Sequence, residues 1–242
     1  AEETYKTSLR GYISMVPLAA SGSDRDAIME KAQQLMNSLE SSVGDTPEGK
    51  RKLVGIYVSL ARDVEKQIQL APADMKNELS SGFETFLTRV SETTTDGRVL
   101  NWIAEMFFSL GNSNDSGEGQ ASEMAKHFYQ RADEMYQKIL DQDTGDSETL
   151  DANLLIRVRM RMATTKRRMG RFKDAIDLFE EILKERNRMV DVQVEAAITY
   201  QEWAQANENP DYRGAITGGR PDPKTRKNTI WGWANLSRVT GT

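Results

Sequence analysis

The sequence predicts an all-α protein of about ten helices that pack as consecutive antiparallel pairs. Three observations favour this fold class. Apolar residues recur at spacings of three and four along most of the chain, which places them on one face of a helix. No segment alternates apolar and polar residues with the β-branched enrichment expected of a strand. The breaks between the apolar stretches are mostly short turns, so each helix is expected to pack on the next.

Residues that end or cap helices mark the limits of the first four predicted helices. The first apolar face stops at Pro17, because proline is not accommodated inside a helix. Ser23, with an acid three residues later, is typical of the capping box that opens a helix. Thr46 is followed by proline, the combination expected at an N-cap and first turn. Pro72 is predicted to open the fourth helix.

The second half of the chain continues the helical pattern. Asp96 is placed to cap a fifth helix that is predicted to end at Gly111, and a polar loop at 112–120 precedes a long sixth helix. A central helix pair follows, with a tight break at Gly170, and a ninth helix is predicted over 190–206. The second helix of the central pair carries the clearest apolar stripe. This stripe consists of Phe172, Ala175, Ile176, Phe179, Ile182 and Leu183.

The composition limits the class of protein. Of the 242 residues, 38% are hydrophobic and 29% are charged, which suits an elongated array that exposes much surface. The net charge of -5 argues against a chain that coats nucleic acid or an anionic membrane. The sequence has no cysteine, which excludes disulfides and thiol chemistry, and no apolar run reaches the ~18 residues of a membrane span. We expect a soluble chain that, starting at Ala1, is either a trimmed cytoplasmic form or an exported form after signal cleavage.

A helical unit recurs along the chain. Four residues are matched 43 positions later by residues of the same chemistry at the same internal spacing: Ala132, Tyr136, Ile139 and Leu140 correspond to Ala175, Phe179, Ile182 and Leu183. Two small residues of other helices, Ala163 and Ala197, are 34 positions apart. Ala104 and Phe107 give a similar combination in the fifth helix. Small residues at these positions let two paired helices approach closely.

In this spacing and choice of residues the chain resembles the tetratricopeptide repeat (TPR) family, whose period is 34 residues. The resemblance is good over 153–216 and fair over 98–140, and only the architecture is similar before that. The chain departs from the family pattern at Arg159 and Lys166, which occupy the Trp and Tyr positions of a first helix. The resemblance implies a right-handed superhelical α-solenoid, in which the first helix of each pair faces a concave groove that binds partner proteins.

The chain is therefore predicted to have three parts. Residues 1–95 form divergent helical repeats or a separate cap, residues 96–217 form TPR-like repeats with the inserted loop, and residues 218–242 form a Gly/Pro loop with a Trp-containing segment. We favour the interpretation that Trp231 and Trp233 dock this segment onto the last helix as an end cap. The alternative is an exposed aromatic binding patch.

The first helix of the central pair is unusually basic. Between Asp151 and Asp174 there are eight Lys and Arg residues and no acid. One stripe of this helix consists of Arg157, Arg161, Thr164 and Arg168. Because the planar fork of arginine suits carboxylates, the stripe is predicted to bind an acidic or C-terminal segment of a partner. The alternative is that these bases pair with acids on neighbouring helices.

Two further partner-binding residues are placed in the same groove by the resemblance. Asn101 and Trp102 lie on the predicted fifth helix, which corresponds to the first helix of the preceding pair. Large aromatic residues such as Trp102 are favoured as anchors in binding hot spots. The predicted partner-binding set therefore combines cations from one helix with an amide and an indole from another.

Patterns typical of metal sites or enzymes are few. The loop after Gly111 partly matches the spacing of an EF-hand calcium loop. The matching positions are Asn112, Asn114, Ser116, Gly117 and Glu123. One carboxylate among them is too little for tight calcium binding, and a polar insertion is the alternative. The only histidine, His127, has a single acid one turn away, which makes neither a metal site nor a catalytic pair.

These patterns together predict a non-catalytic protein-interaction scaffold that binds a protein or peptide. We expect no catalytic residue, no metal and no cofactor. One alternative is a structural subunit that assembles into a homo-oligomer. A lesser alternative is nucleic-acid binding through the basic helix, which the acidic remainder of the chain disfavours.

Overall fold

The computed structural model describes residues 2–15, 19, 22–43, 46–70, 72–115, 121–142, 151–207, 210, 212–219 and 229–240. Over these residues the chain is helical and contains no strand, which confirms the predicted all-α class. The described part contains the helices α1 (Glu2–Met15), α2 (Gly22–Val43), α3 (Pro47–Leu70), α4 (Ala73–Thr93), α5 (Gly97–Ser113), α6 (Glu123–Gln142), α7 (Ala152–Arg168), α8 (Phe172–Glu185), α9 (Val190–Gln205), α10 (Arg213–Thr217) and α11 (Trp233–Thr240). None of these helices is long and apolar enough to cross a membrane.

The chain divides into two compact units, Ala1–Asn114 and Asp115–Thr242. Consecutive helices pack on each other inside each unit, from α1 to α5 in the first and from α6 to α11 in the second. In the first unit α5 packs on α3 and α4. The boundaries predicted at 95/96 and 217/218 separate the TPR-like repeats from the parts before and after them. These boundaries stay predictions.

Polar side chains cap α3 and α5 where the sequence predicted them, whereas α2 begins at Gly22, one residue before the predicted cap Ser23. The Thr46 hydroxyl accepts a hydrogen bond of 3.0 Å from the backbone of Gly49, which confirms the predicted cap of α3. The Asp96 carboxylate accepts hydrogen bonds from two backbone N–H groups in the first turn of α5, the shorter being 2.8 Å, which confirms that cap too. The predicted end at Gly111 is wrong by two residues, because α5 continues to Ser113.

A polar network joins three helices of the first unit. Glu40 on α2 accepts a hydrogen bond of 2.7 Å from the Tyr57 hydroxyl on α3 and one of 2.9 Å from Arg89 Nε on α4. The hydrogen bonds from Arg89 hold the pKa of the Glu40 carboxyl below its ordinary value, although partial burial opposes this effect. Burial, together with the Glu40 carboxylate, raises the pKa of Tyr57. The Tyr57 ring meets the ring of Phe86 edge-on, with centroids 5.4 Å apart.

The second unit has its core along the central helix pair. The break between α7 and α8 is made at Gly170, whose φ of 77° lies in the left-handed region that favours glycine. The predicted apolar stripe of α8 is buried for the most part, and Ala163 on α7 and Ala197 on α9 are fully buried beside it. Small side chains at these two positions allow the helices to pack closely. The buried residues of α7, α8 and α9 therefore form one core.

The end of the chain packs on this core. Trp231 is only 1% exposed and lies among the buried residues of α8 and α9, and its indole N–H donates a hydrogen bond of 2.9 Å to Glu180. Gly218 and Gly232 have positive φ and approach each other so closely that a Cβ on Gly232 would lie 2.5 Å from the Gly218 nitrogen. Trp233, two residues further on, is 37% exposed. The two tryptophans of this segment therefore differ: Trp231 belongs to the core and Trp233 to the surface.

Candidate binding surface

The basic residues in and after α7 fall into a paired set and an exposed set. Lys166 is buried at the α6 side of the helix, and its ammonium lies 2.8 Å from the Asp133 carboxylate. Arg171, in the turn after α7, approaches the same carboxylate at 3.4 Å and also pairs with Asp174. Asp133 thus neutralises the charge of the buried Lys166 inside the fold.

Arg167 is buried on the side of α7 that faces α9. Its guanidinium lies 3.0 Å from Glu195 and 3.6 Å from Glu202, both on α9. These contacts are ion pairs by distance but are not aligned as hydrogen bonds. Arg167 therefore serves the packing of α7 on α9.

Two further bases pair on the helix surface. Arg159 lies 3.2 Å from Glu185 at the end of α8, and Lys173 lies 2.5 Å from Asp177 one turn along the same helix. Both pairs are partly or largely exposed, so they contribute little to stability. Arg159, Lys166, Arg167, Arg171 and Lys173 thus have acidic partners within the second unit.

The predicted stripe lies on the remaining, exposed face of α7. Arg157, Arg161 and Arg168 are exposed there, and Thr164 is half-buried with its hydroxyl donating to the Met160 carbonyl at 3.1 Å. Within the described residues, neither Arg157 nor Arg168 lies at ion-pair distance from an acid. The stripe spans about 16 Å along the helix, at 1.5 Å per residue. The structure therefore brings the four predicted α7 residues together on one face.

Asn101 and Trp102 are half-buried on α5, which belongs to the first unit. They are consecutive on that helix, and the neighbouring Ile103 and Ala104 are fully buried. The predicted six-residue site is thus divided, with four residues on α7 and two on α5. Their membership of one groove stays a prediction.

The described residues that match a calcium loop lie at the end of α5 and the start of α6. Asn112 lies within that helix, and the Asn114 side chain donates to the Leu110 carbonyl at 2.8 Å. Glu123 pairs with Lys126 at 2.9 Å, while Ser116 and Gly117 lie outside the described residues. No cluster of three or more acidic or histidine side chains that could hold a metal ion occurs in the described part of the chain.

Sequence reasoning missed a cavity of about 670 Å³ in the second unit, between α8, α9 and the end of the chain. Tyr200, Trp203 and Trp231 line it together with Asp177 and Glu180. The Tyr200 ring centroid lies 5.6 Å from that of Trp203 and 5.9 Å from that of Trp231. The density of aromatic residues near the C-terminus was the available signal, but it does not show which rings meet.

Comparison of the chain with models of protein families, with curated proteins and with solved structures found no match. The relationship to TPR proteins therefore stays a prediction from the residues. The function is argued below from the described side chains.

Proposed function

We propose that the chain is a non-catalytic protein-interaction scaffold that binds an acidic segment of a partner protein along the exposed face of α7. One observation supports this most: Arg157, Arg161 and Arg168 are exposed on one face of α7, whereas Lys166 and Arg167 are buried against acids of α6 and α9. The packing of the helix accounts for the two buried bases. The three exposed arginines form a row of guanidinium groups that an acidic segment can reach from solvent.

The spacing of the stripe suggests the spacing of its ligand. Arg157 and Arg161 are about 6 Å apart along the helix axis, and Arg161 and Arg168 about 10 Å. An extended peptide advances about 3.3 Å per residue, so the matching carboxylates are about two and three residues apart. The preferred partner segment therefore has the pattern acid-x-acid-x-x-acid. Each guanidinium offers a carboxylate two parallel N–H donors, which favours arginine over lysine at such positions.

The resemblance to TPR proteins supports the same surface. In that family the first helix of each pair faces the groove in which partner segments bind, and α7 corresponds to a first helix. Arg157 and Arg161, four residues apart, faintly resemble one half of the motif by which this family binds a C-terminal carboxylate. The other half, a lysine followed four residues later by asparagine, is missing from α5 and α9, the helices that correspond to the other first helices, which argues against a chaperone-tail receptor. We therefore place the acids inside the partner segment rather than at a free C-terminus alone.

Fluorescence anisotropy with labelled peptides tests this proposal. One peptide carries glutamates in the acid-x-acid-x-x-acid pattern, a second carries three adjacent glutamates, and a third carries glutamines. We expect the first peptide to bind more tightly than the second, and the third not to bind. The triple variant R157E/R161E/R168E is expected to bind the first peptide at least about tenfold more weakly, since three attractive contacts become repulsive.

The variant K138E/K184E/R188E is the matched control, because it changes the net charge equally at three other exposed bases. It should keep most of the affinity. An equal loss of peptide affinity in both triple variants would show that net charge alone determines binding, which would contradict a site on α7. Unchanged binding in both would contradict it as well. Circular dichroism of each variant checks that the helices are retained.

Self-assembly is the second candidate function, and a different surface favours it. Tyr212, which directly precedes α10, is 43% exposed, Ile216 on α10 is 48% exposed, and Trp233 on α11 is 37% exposed. Large exposed apolar residues are typical of contact surfaces between chains. Sedimentation velocity over a hundredfold range of concentration, about 1 to 100 μM, would show a mass that rises with concentration if this candidate is correct. Nucleic-acid binding would instead give an affinity that falls steeply with salt.

A further inference from the structure

We propose that the cavity between α8, α9 and Trp231 is a binding site for an organic cation of the quaternary ammonium class. Three aromatic rings and two carboxylates line it, and this combination is the one that recognises methylated ammonium groups. The site lies entirely within the second unit and uses none of the α7 stripe. It is therefore independent of the proposed peptide-binding surface.

The rings form adjoining walls rather than a stack. Tyr200 is central, and its plane is tilted by 60° to that of Trp203 and by 42° to that of Trp231. Trp231 is buried and held by its hydrogen bond to Glu180, whereas Tyr200 and Trp203 are half-buried. Because Trp231 is only 1% exposed, the accessible aromatic surface of the cavity comes mainly from Tyr200 and Trp203. An aromatic face carries negative electrostatic potential and therefore attracts a positive group.

The charged residues of the cavity come from one face of α8. Asp177 and Glu180 contribute two negative charges and Lys173 one positive charge, so the described residues of the lining have a net charge of about -1. Lys173 is already paired with Asp177, and this hydrogen bond raises the pKa of its ammonium group. Among these described residues, an anionic ligand would meet no unpaired base. A cation gains attraction from the remaining negative charge.

The chemistry of the walls selects the kind of cation. The two carboxylates are already engaged, Asp177 by Lys173 and Glu180 by the Trp231 N–H, and aromatic faces supply no lone pairs. A strongly hydrated metal ion or primary ammonium group would therefore be poorly compensated for the water it loses. A quaternary ammonium group is weakly hydrated and covered by methyl groups, which pack on ring faces. The cavity volume of about 670 Å³ exceeds such a group, which leaves room for the remainder of a ligand.

Glycine residues hold the rings in place. A Cβ on Gly214 would lie 2.1 Å from Cζ of Tyr200, so the Tyr200 ring packs directly against the backbone of α10. A Cβ on Gly218 would lie 2.3 Å from the Trp231 carbonyl oxygen. These close approaches fix two of the three walls, and a preorganised cage binds its ligand with little ordering cost.

The test is isothermal titration calorimetry of the full chain with choline and with its uncharged isostere, in which a tert-butyl group replaces trimethylammonium. We expect choline to bind at least about tenfold more tightly than the isostere, because only the charged form is attracted to the ring faces and carboxylates. Equal affinities would overturn the proposal, since the site would then be a plain apolar cavity. The absence of saturable heat with both choline and a trimethyl-lysine peptide, at concentrations up to about 10 mM, would overturn the proposal too.

Variants locate the site and separate the sources of the ligand. W203A should weaken choline binding at least about tenfold, while W233A, which removes a tryptophan outside the cavity, should not. K173Q should strengthen binding about twofold to fivefold, because it removes the competing cation from Asp177.

A trimethyl-lysine peptide that binds more tightly than choline indicates a protein ligand, and the reverse order indicates a small molecule. If W203A does not fold, D177N takes its place, and a D177N variant with unchanged affinity contradicts the site.

Discussion

At the scale of single residues, Gly214 shows how one missing Cβ determines packing. The Tyr200 ring occupies the space that a side chain at position 214 would need. We expect G214A to lower the free energy of unfolding by about 1–3 kcal/mol, because an added methyl group in a filled space forces Tyr200 or α10 to move. Urea unfolding followed by circular dichroism measures the change.

Gly55 provides the control for this substitution. It is an exposed glycine within α3, and a Cβ there would meet nothing within 4 Å. G55A should therefore raise the free energy of unfolding by about 0.5–1 kcal/mol, since alanine favours helix over glycine. Equal effects of the two substitutions would show that helix propensity, and not the contact with Tyr200, governs position 214.

At the scale of elements, α7 combines a structural side and a solvent-facing side. Removing the buried Lys166 ammonium leaves Asp133 with only a longer contact to Arg171. We expect K166A to lower the free energy of unfolding by about 3 kcal/mol, the cost of breaking a buried ion pair. R168A, two residues on and exposed, should change it by no more than about 0.5 kcal/mol.

Thermal or urea unfolding of the two variants decides this prediction. A large loss in R168A would show that the exposed stripe also serves stability, which would weaken its assignment as a binding surface. A small loss in K166A would mean that Arg171 alone neutralises Asp133. The two results together separate the structural bases from those available to a partner.

Helix periodicity predicted the elements of the fold but not the division of the basic residues. The spacing of three and four residues located α7 and α8 and placed Arg157, Arg161 and Arg168 on one stripe, since these are properties of a single helix. Lys166 and Arg167 are buried because they pair with acids of α6 and α9, which are distant in the sequence. No local pattern distinguishes a base that meets such an acid from one that does not.

The aromatic cavity was not predicted for the same reason. Tyr200 and Trp203 belong to one helix, but Trp231 reaches them only because the chain returns after α10. The capping residues Thr46 and Asp96 were predicted because a cap depends on its own first turn alone. The sequence therefore determines helix ends and faces, whereas sites shared between helices require the tertiary structure.

At the scale of the whole molecule, the polar network of the first unit contributes to the dependence of stability on acid. In the first unit the folded-state pKa of Glu40 lies below the ordinary value of 4.5. Its contribution to stability is therefore fully present above about pH 4.5 and is lost as the pH falls through the folded-state pKa. We expect the stability of the wild-type chain to decline in this acid range, measured by urea unfolding at a series of pH values.

E40Q is expected to lower the free energy of unfolding at pH 7 by about 1 kcal/mol, the lower end for charged hydrogen bonds because a quarter of the side chain is exposed. Its stability should also fall less than that of the wild type below pH 4.5. An unchanged acid dependence in E40Q would place the titrating group elsewhere. Glu92, an exposed acid of α4, supplies the control variant E92Q, which should keep the wild-type profile.

The two sides of α7 lead to different expectations for natural variation. A change at Lys166 removes the nearer partner of Asp133, and a change at Arg167 removes the α7 partner of Glu195, so these positions should diverge as correlated pairs within one chain. A change at the exposed Arg157 or Arg168 leaves no buried acid without its partner, so substitutions there should be tolerated singly. Among related sequences, the buried side of α7 is therefore expected to vary in pairs and its exposed side one residue at a time.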